Sequence, residues 1–432
     1  ALDACTTGSN NTAGGGNALG ELTSGGHNTA FGKGALDANT SASDNTAFGS
    51  HSLGANSTGY RNVAVGREAM FSNTTAIDNT AVGTTALYSN TTGNANTGVG
   101  RQAIYTNTTG SNNTAVGYNA LDDSTTASNN TAVGKSALTA TTTGPYNTAV
   151  GHEAMEVNTT GTQNVAIGAF ALDDSTTANG NTAIGYASLS ANTTGTFNAA
   201  VGMDCLLNNS TGSYNTAMGR QTMVGNTTGV QNAAFGSEAL LTNTTGSYNV
   251  AMGWLALKAN TTAGVNTAVG SWALHTNTTG SSLTACGHNS LGKNTTGNFN
   301  TAVGNYALHE NTTANNCTAV GVSALQNNLT AGNNTAIGYQ AARNSQTPDN
   351  ITAVGASALT SNTSGSDTTA VGKSALAANT SGDANNAFGR SSMSANTTGS
   401  NNCAYGKNSL AANTTASSNS AFGHYALTAN TT

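Results

Sequence analysis

Two polar residues, two apolar residues and a glycine make up Asn113-Thr114-Ala115-Val116-Gly117, and the same phrase returns at Asn130-Thr131-Ala132-Val133-Gly134. The spacing is 17 residues, and it holds for 25 copies starting at residues 11, 28, 45 and onward to 419, without insertion or deletion. With the Asn numbered 1, position 5 is Gly in all 25 copies, and position 3 is Ala in all but one, Gly98. Position 4 is Val, Ile, Phe, Met, Tyr or Cys apart from Gly14; position 8 stays small; position 9 is Leu, Met or Ile except at Ala342. A five-residue phrase of this kind, bounded by Asn and Gly, predicts a short β-strand whose side chains alternate in direction with period two. Positions 8 and 9 predict a second short strand after a turn at positions 5 to 7. An invariant Gly fits a positive φ or a close backbone approach, either of which excludes a Cβ. A fixed period makes residues 1–432 one repeat array, not the two or three domains that the length alone suggests. The predicted architecture is all-β, a β-solenoid or β-roll of 25 stacked 17-residue coils.

Charge sharpens this picture. All 12 Lys and Arg and all 18 Asp and Glu fall at positions 6, 7, 10, 11, 16 or 17, and the other eleven positions never carry a charge. Three two-residue corners are therefore expected to face water, with the rest of the coil shielded. Within the strand, positions 2 and 4 point one way and positions 1, 3 and 5 the other. The expectation is that Val at position 4 fills the coil while the Ala-Gly face packs against another chain. The candidate interchain residues are then Ala115, Gly117, Ala132, Gly134, Ala149 and Gly151. A threefold bundle satisfies that arrangement, and a single-chain solenoid standing in a filament is the alternative.

The threonines divide into two kinds. At position 2, Thr gives way to Val63, Val165, Val250, Ala199, Ala233 and Cys403, which suggests a buried β-branched site. Asn386 and Ser420 are the polar exceptions there. At position 14 only Thr or Ser occurs. Asn at position 12 with that hydroxyl makes a glycosylation sequon at Asn39, Asn56, Asn73, Asn90, Asn107, Asn158, Asn192, Asn209, Asn226, Asn243, Asn260, Asn277, Asn294, Asn311, Asn328, Asn362, Asn379, Asn396, Asn413 and Asn430. The hydroxyl persists where position 12 is Leu22, Ser124, Thr141, Ser175 or Ser345. A hydrogen-bonded Asn-Thr-Thr-Gly turn that ladders along the stack explains this as well as a glycan-bearing turn does.

Composition narrows the chemistry. Charged residues make up 7% of the chain and the net charge is −6, which leaves no electrostatic footprint for nucleic acid or an acidic membrane. The chain has no apolar run of about 18 residues such as a membrane-spanning helix requires. Cys5, Cys205, Cys286, Cys317 and Cys403 share no repeat position and no metal spacing, and are read as unpaired, mostly buried thiols. No cofactor or metal motif is present, and the expectation is a protein that is not an enzyme. The best catalytic candidate is Glu156 with Asp173 one coil on, near His152 and Glu153, a carboxylate pair that a wet corner also yields by chance. Regular threonines keep an ice-binding surface as a rival reading. Copy 334–350 departs most, with Ala342 in the core, Arg343-Asn344-Ser345-Gln346 in place of the usual turn, and Pro348 at position 15, and a local kink is expected there. Neither end shows an atypical capping repeat, so a window on a longer array or end-to-end joining is expected.

Phrases such as Asn113-Thr114-Ala115-Val116-Gly117-Tyr118-Asn119-Ala120-Leu121, and the run at 243–253, resemble repeats of phage tail-fibre-like proteins and the head repeats of trimeric autotransporter adhesins. The resemblance spans essentially the whole chain through short motifs. It implies a trimeric β-roll displayed on a cell or virion surface that attaches to glycans of a host or matrix. The autotransporter head repeat is shorter, and this chain carries no heptad stalk, membrane-anchoring barrel or self-cleaving chaperone segment. The expected function is a structural extracellular fibre, as adhesin, tail-fibre shaft or matrix filament, that associates with itself. An ice-binding or glycan-binding solenoid is the alternative.

Overall fold

The computed structural model describes residues 2–431. It divides into two compact units, Ala1–Asn215 and Thr216–Thr432, each built from the same repeat. The first holds strands β1 (Thr12–Gly14) through β12 (Ala199–Val201), and the second holds β13 (Thr216–Met218) through β25 (Ser420–Phe422). Each strand is three residues long, positions 2 to 4 of the repeat. Within each unit the strands pair in parallel with their neighbours in the adjacent coils. The register is exact to the residue, as in Thr114 on Thr131, Ala115 on Ala132 and Val116 on Val133. Each unit is thus a parallel β-solenoid, as the period predicted.

The corners come from unusual backbone. Gly at position 5 has φ between 122° and 145° in every coil, a region closed to L side chains. A Cβ on Gly117 would also lie 2.3 Å from the carbonyl oxygen of Gly134 in the next coil. Both reasons for an invariant Gly therefore operate at once. Positions 7, 9 and 17 adopt the left-handed region without being Gly, for example Asn119, Leu121 and Asn129 at φ of 54°, 55° and 62°. The second strand expected at positions 8 and 9 is a turn instead. The left-handed conformation costs about 1–2 kcal/mol per residue, and burying a leucine side chain returns about 1.5–3 kcal/mol, so the core residue can hold the bend.

Backbone hydrogen bonds run between coils all the way around. In one coil, Thr114, Leu121, Asp123 and Thr125 donate forward to Asn130, Ala137, Thr139 and Thr142, while Gly117, Asn119 and Asn129 donate back to Val99, Arg101 and Ser111. The coil at 334–350 keeps this pattern. Thr335 pairs with Thr352, Ala342 donates to the Ala358 carbonyl at 2.8 Å, and Asn334 Nδ2 donates to the Pro348 carbonyl at 2.8 Å. The expected kink is absent. Proline fits at position 15 because that amide takes little part in the ladder, bonding forward only at long distances such as Gly59 to Thr74 at 3.3 Å.

The strand faces the opposite way from the expectation. Ala at position 3 points into its own coil, and Ala115, Ala132 and Ala149 have no exposed surface. Ala120 and Leu121 share that interior with the asparagines of positions 1 and 12. Positions 2 and 4 point outward. The interior is too narrow for a larger residue at position 3. Even at Gly98 a Cβ would meet the Ala103 carbonyl oxygen at 3.2 Å and Leu87 Cδ1 at 3.4 Å. Position 3 is small because its own coil crowds it, and no neighbouring chain is needed to explain it.

Candidate assembly face and corner sites

Three parts of the coil can do chemistry or bind: the asparagine ladders, the outward strand face and the corners. The asparagines are structural. At position 1, Asn113 Nδ2 donates to the Ala127 carbonyl at 2.8 Å, and its Oδ1 accepts the Asn130 amide at 3.0 Å. At position 12, Asn107 Nδ2 donates to Asn90 Oδ1 at 2.7 Å and to the Gly110 carbonyl at 3.0 Å. Of the sequon asparagines, every one from Asn39 to Asn413 is fully buried, and Asn430 is half-buried. The folded coil therefore presents none of those from Asn39 to Asn413 to a glycan. The amide that would carry the sugar closes the turn and bonds the coil before it.

The threonine ladder is real but sits at position 13. Thr91 Oγ1 donates to the Thr108 carbonyl at 2.9 Å, and Thr108 Oγ1 donates to Thr125 at 3.0 Å. The hydroxyl at position 14 is exposed in every described copy, and only Thr7 bonds through it, at 3.5 Å. Nothing in the fold explains why position 14 is always Thr or Ser.

The outward face repeats in every coil of each unit. Position 4 presents Phe31, Phe48, Val82, Val116 and Ile184 in the first unit, each roughly 40% exposed, and Met218, Met252, Ile337 and Tyr405 in the second. Successive rings stack along this column, Phe31 on Phe48 at 5.2 Å and Phe388 on Tyr405 at 4.6 Å. Position 2 beside it is half-exposed and is Thr in 17 of 25 copies. Ala115, Gly117, Ala132, Gly134, Ala149 and Gly151 are not on this face. The alanines fill the coil, and the glycines pack against the next coil of the same chain. The signal that could have found the true face was size: bulky, varied residues at position 4 beside a monotonous alanine column.

Charged corners behave as expected of solvated positions. Arg61 meets Asp78 at 3.1 Å and Lys293 meets Glu310 at 2.7 Å, each pair one coil apart. Such exposed pairs contribute about 0–1 kcal/mol. At the carboxylate pair, burial and then the Glu153 charge raise the Glu156 carboxyl, and burial raises Asp173 despite a hydrogen bond from Ser190. His152 Nε2 lies 3.3 Å from Glu153 Oε1, and the histidine also acts on Glu156, opposing the rise of its carboxyl. Among the described residues no group of three or more His, Cys, Asp or Glu is placed to hold a metal.

The thiols are more varied than expected. Cys205 and Cys317 are buried, and burial pushes them up to about 12 and about 11. Cys5 and Cys403 are half-buried, and Cys286 stands exposed at position 4. No known protein-family model matches the chain, and no curated protein matches it.

Proposed function

We propose that the chain is a non-enzymatic structural fibre, displayed outside the cell or on a virion, whose copies associate side by side through the outward strand face. One observation carries this reading. Positions 2 and 4 reach solvent, yet in 25 copies neither ever carries a charge, where an ordinary surface is about 25–35% charged. An apolar column this regular has an interaction role. The occupant that fits is a second copy of the chain. The face repeats at the strand spacing of about 4.8 Å, so only a partner of the same period stays matched along its length. Three copies about an axis would agree with the resemblance to trimeric head repeats, and the surface location rests on the same resemblance.

The test is to replace Val116 and Val133 by Lys together and measure mass by light scattering. Both side chains are outward, so the coil itself stays folded. The expected result is a fall from a multiple of the chain mass to a single chain, with circular dichroism unchanged. Cys286 stands exposed at position 4 in the second unit, so in the wild type it should resist maleimide when copies are associated and react when the chain is single. An unchanged mass would overturn lateral association by this face.

Ice binding is the second reading, favoured by the outward direction of the position-2 threonines in register on a parallel sheet. Phe48, Met252 and Tyr405 project from the same face and spoil a uniform hydroxyl array. Thermal hysteresis in a solution of the intact chain would favour it over the fibre.

A further inference from the structure

The only two tryptophans of the chain, Trp254 and Trp272, stand in adjacent coils of the second unit, beside three of its seven histidines. Trp272 and those three histidines, His275, His288 and His309, line a cavity of about 470 Å³ at one corner of the coil. Its origin is a missing side chain. Position 10 is His275 in one coil and His309 two coils on, and between them it is Gly292. A Cβ there would lie 3.0 Å from His309 Cδ2, so the imidazole edge faces into the gap. Trp272 forms one wall with the His275 ring packed against it at 4.2 Å, while His288, Asn289 and Lys293 complete the lining.

Three of the titratable groups of this cavity, Lys293, His275 and His309, present no unpaired charge. Lys293 Nζ is held by Glu310 at 2.7 Å, so the ammonium is already neutralised. Burial lowers both His275 and His309 from the usual histidine range, which keeps the two rings neutral near pH 7. His309 Nδ1 lies 3.0 Å from Glu310 Oε1. A carboxylate can only accept, so in the neutral ring Nδ1 carries the proton, and Nε2, beside Cδ2, is left as an acceptor. A charged ligand would have to compete with Glu310 for Lys293 and would find no counter-charge on His275 or His309. A purely apolar ligand would cover the imidazole and the Asn289 amide without pairing them, which is costly. A neutral polyol with one C–H face satisfies both the indole and the hydrogen-bonding groups. The volume lies within the range of about 300–1,000 Å³ typical of small-ligand sites.

We propose that this corner binds a neutral saccharide unit, stacked on Trp272, with hydroxyls donating to His309 Nε2 and bonding the Asn289 amide. The site is independent of lateral association, since it lies at a charged corner and not on the strand face.

The experiment titrates the full chain carrying Trp254→Phe, so that Trp272 alone reports, with maltose, cellobiose and diacetylchitobiose. Inorganic phosphate and phenol serve as the charged and apolar probes. Saturable change in tryptophan emission with at least one disaccharide, confirmed by saturation-transfer NMR, is expected. Gly292→Tyr should weaken it at least tenfold. That variant places a ring where Tyr88 and Tyr105 already stand at position 10, so the coil tolerates it, and circular dichroism checks the fold. Saturation by phosphate or phenol alone, by none of the disaccharides, or undiminished in Gly292→Tyr would overturn the proposal.

Discussion

At the scale of single residues, the buried asparagine ladder sets the rules, and its interruptions show what each rung contributes. Ser124 and Ser175 replace Asn at position 12. In both places the serine Oγ and the Oδ1 of the preceding rung, Asn107 or Asn158, are buried without a hydrogen-bond partner. An unsatisfied buried group costs about 1–3 kcal/mol. Ser124→Asn supplies the missing Nδ2 to Asn107, and a stabilisation of about 1 kcal/mol is expected from denaturant melts. Asp122 beside it gives a pH dependence. Burial first, and the charge of Asp123 second, raise its carboxyl from 3.8 to about 6. Between those values the folded chain holds a proton that the unfolded chain has released. Stability contributed by the protonated form is therefore complete below about pH 4 and is lost as pH rises through about 6. Denaturation midpoints should fall between those limits in the wild type, and Asp122→Asn should flatten the change.

At the scale of the element, the three-residue strand separates folding from association. Ala115→Glu forces a charge into an interior with no room and no partner, so the affected coil should open, with a loss of about 3 kcal/mol or more. Val116→Lys, one residue away, places its charge in water. Hydrogen exchange read coil by coil distinguishes the two: rapid exchange around Ala115 in the first variant and unchanged protection in the second. The alternation of the strand was legible in the sequence, as was the demand for Gly at position 5. Its sense was not. Period two is satisfied equally by either face inward, and a small residue signals crowding without saying whether its own coil or a neighbour does the crowding. Position 9 misled for a related reason. Leucine beside a small residue reads as strand, and nothing in its chemistry announces the left-handed backbone that Leu121 adopts.

At the scale of the whole molecule, each unit is a sum of like coils held by contacts to nearest neighbours, so stability should be local and roughly additive. Removing residues 113–129 takes out one complete period and brings Thr97 into register with Thr131. The melting temperature should change by only a few degrees. Removing Ser128 alone leaves a coil of 16 residues, which cannot stack both its strand and its position-13 hydroxyl on its neighbours, and local protection from exchange should be lost. Differential scanning calorimetry and hydrogen exchange check the pair.

The sequence by itself determined the period, the parallel stacking it implies, the charged corners and the place of the strand at positions 2 to 4, because a repeat compared with itself shows which positions tolerate change. Only the tertiary structure decided which side of the strand is the core. Closing 17 residues into one coil leaves an interior just wide enough for alanine, leucine and two asparagines, and that volume, invisible in any single repeat, turns Val116 out and Asn107 in. The same closure decided that the sequon asparagines are rungs of a ladder, and that the absent side chain of Gly292 is a cavity walled by Trp272.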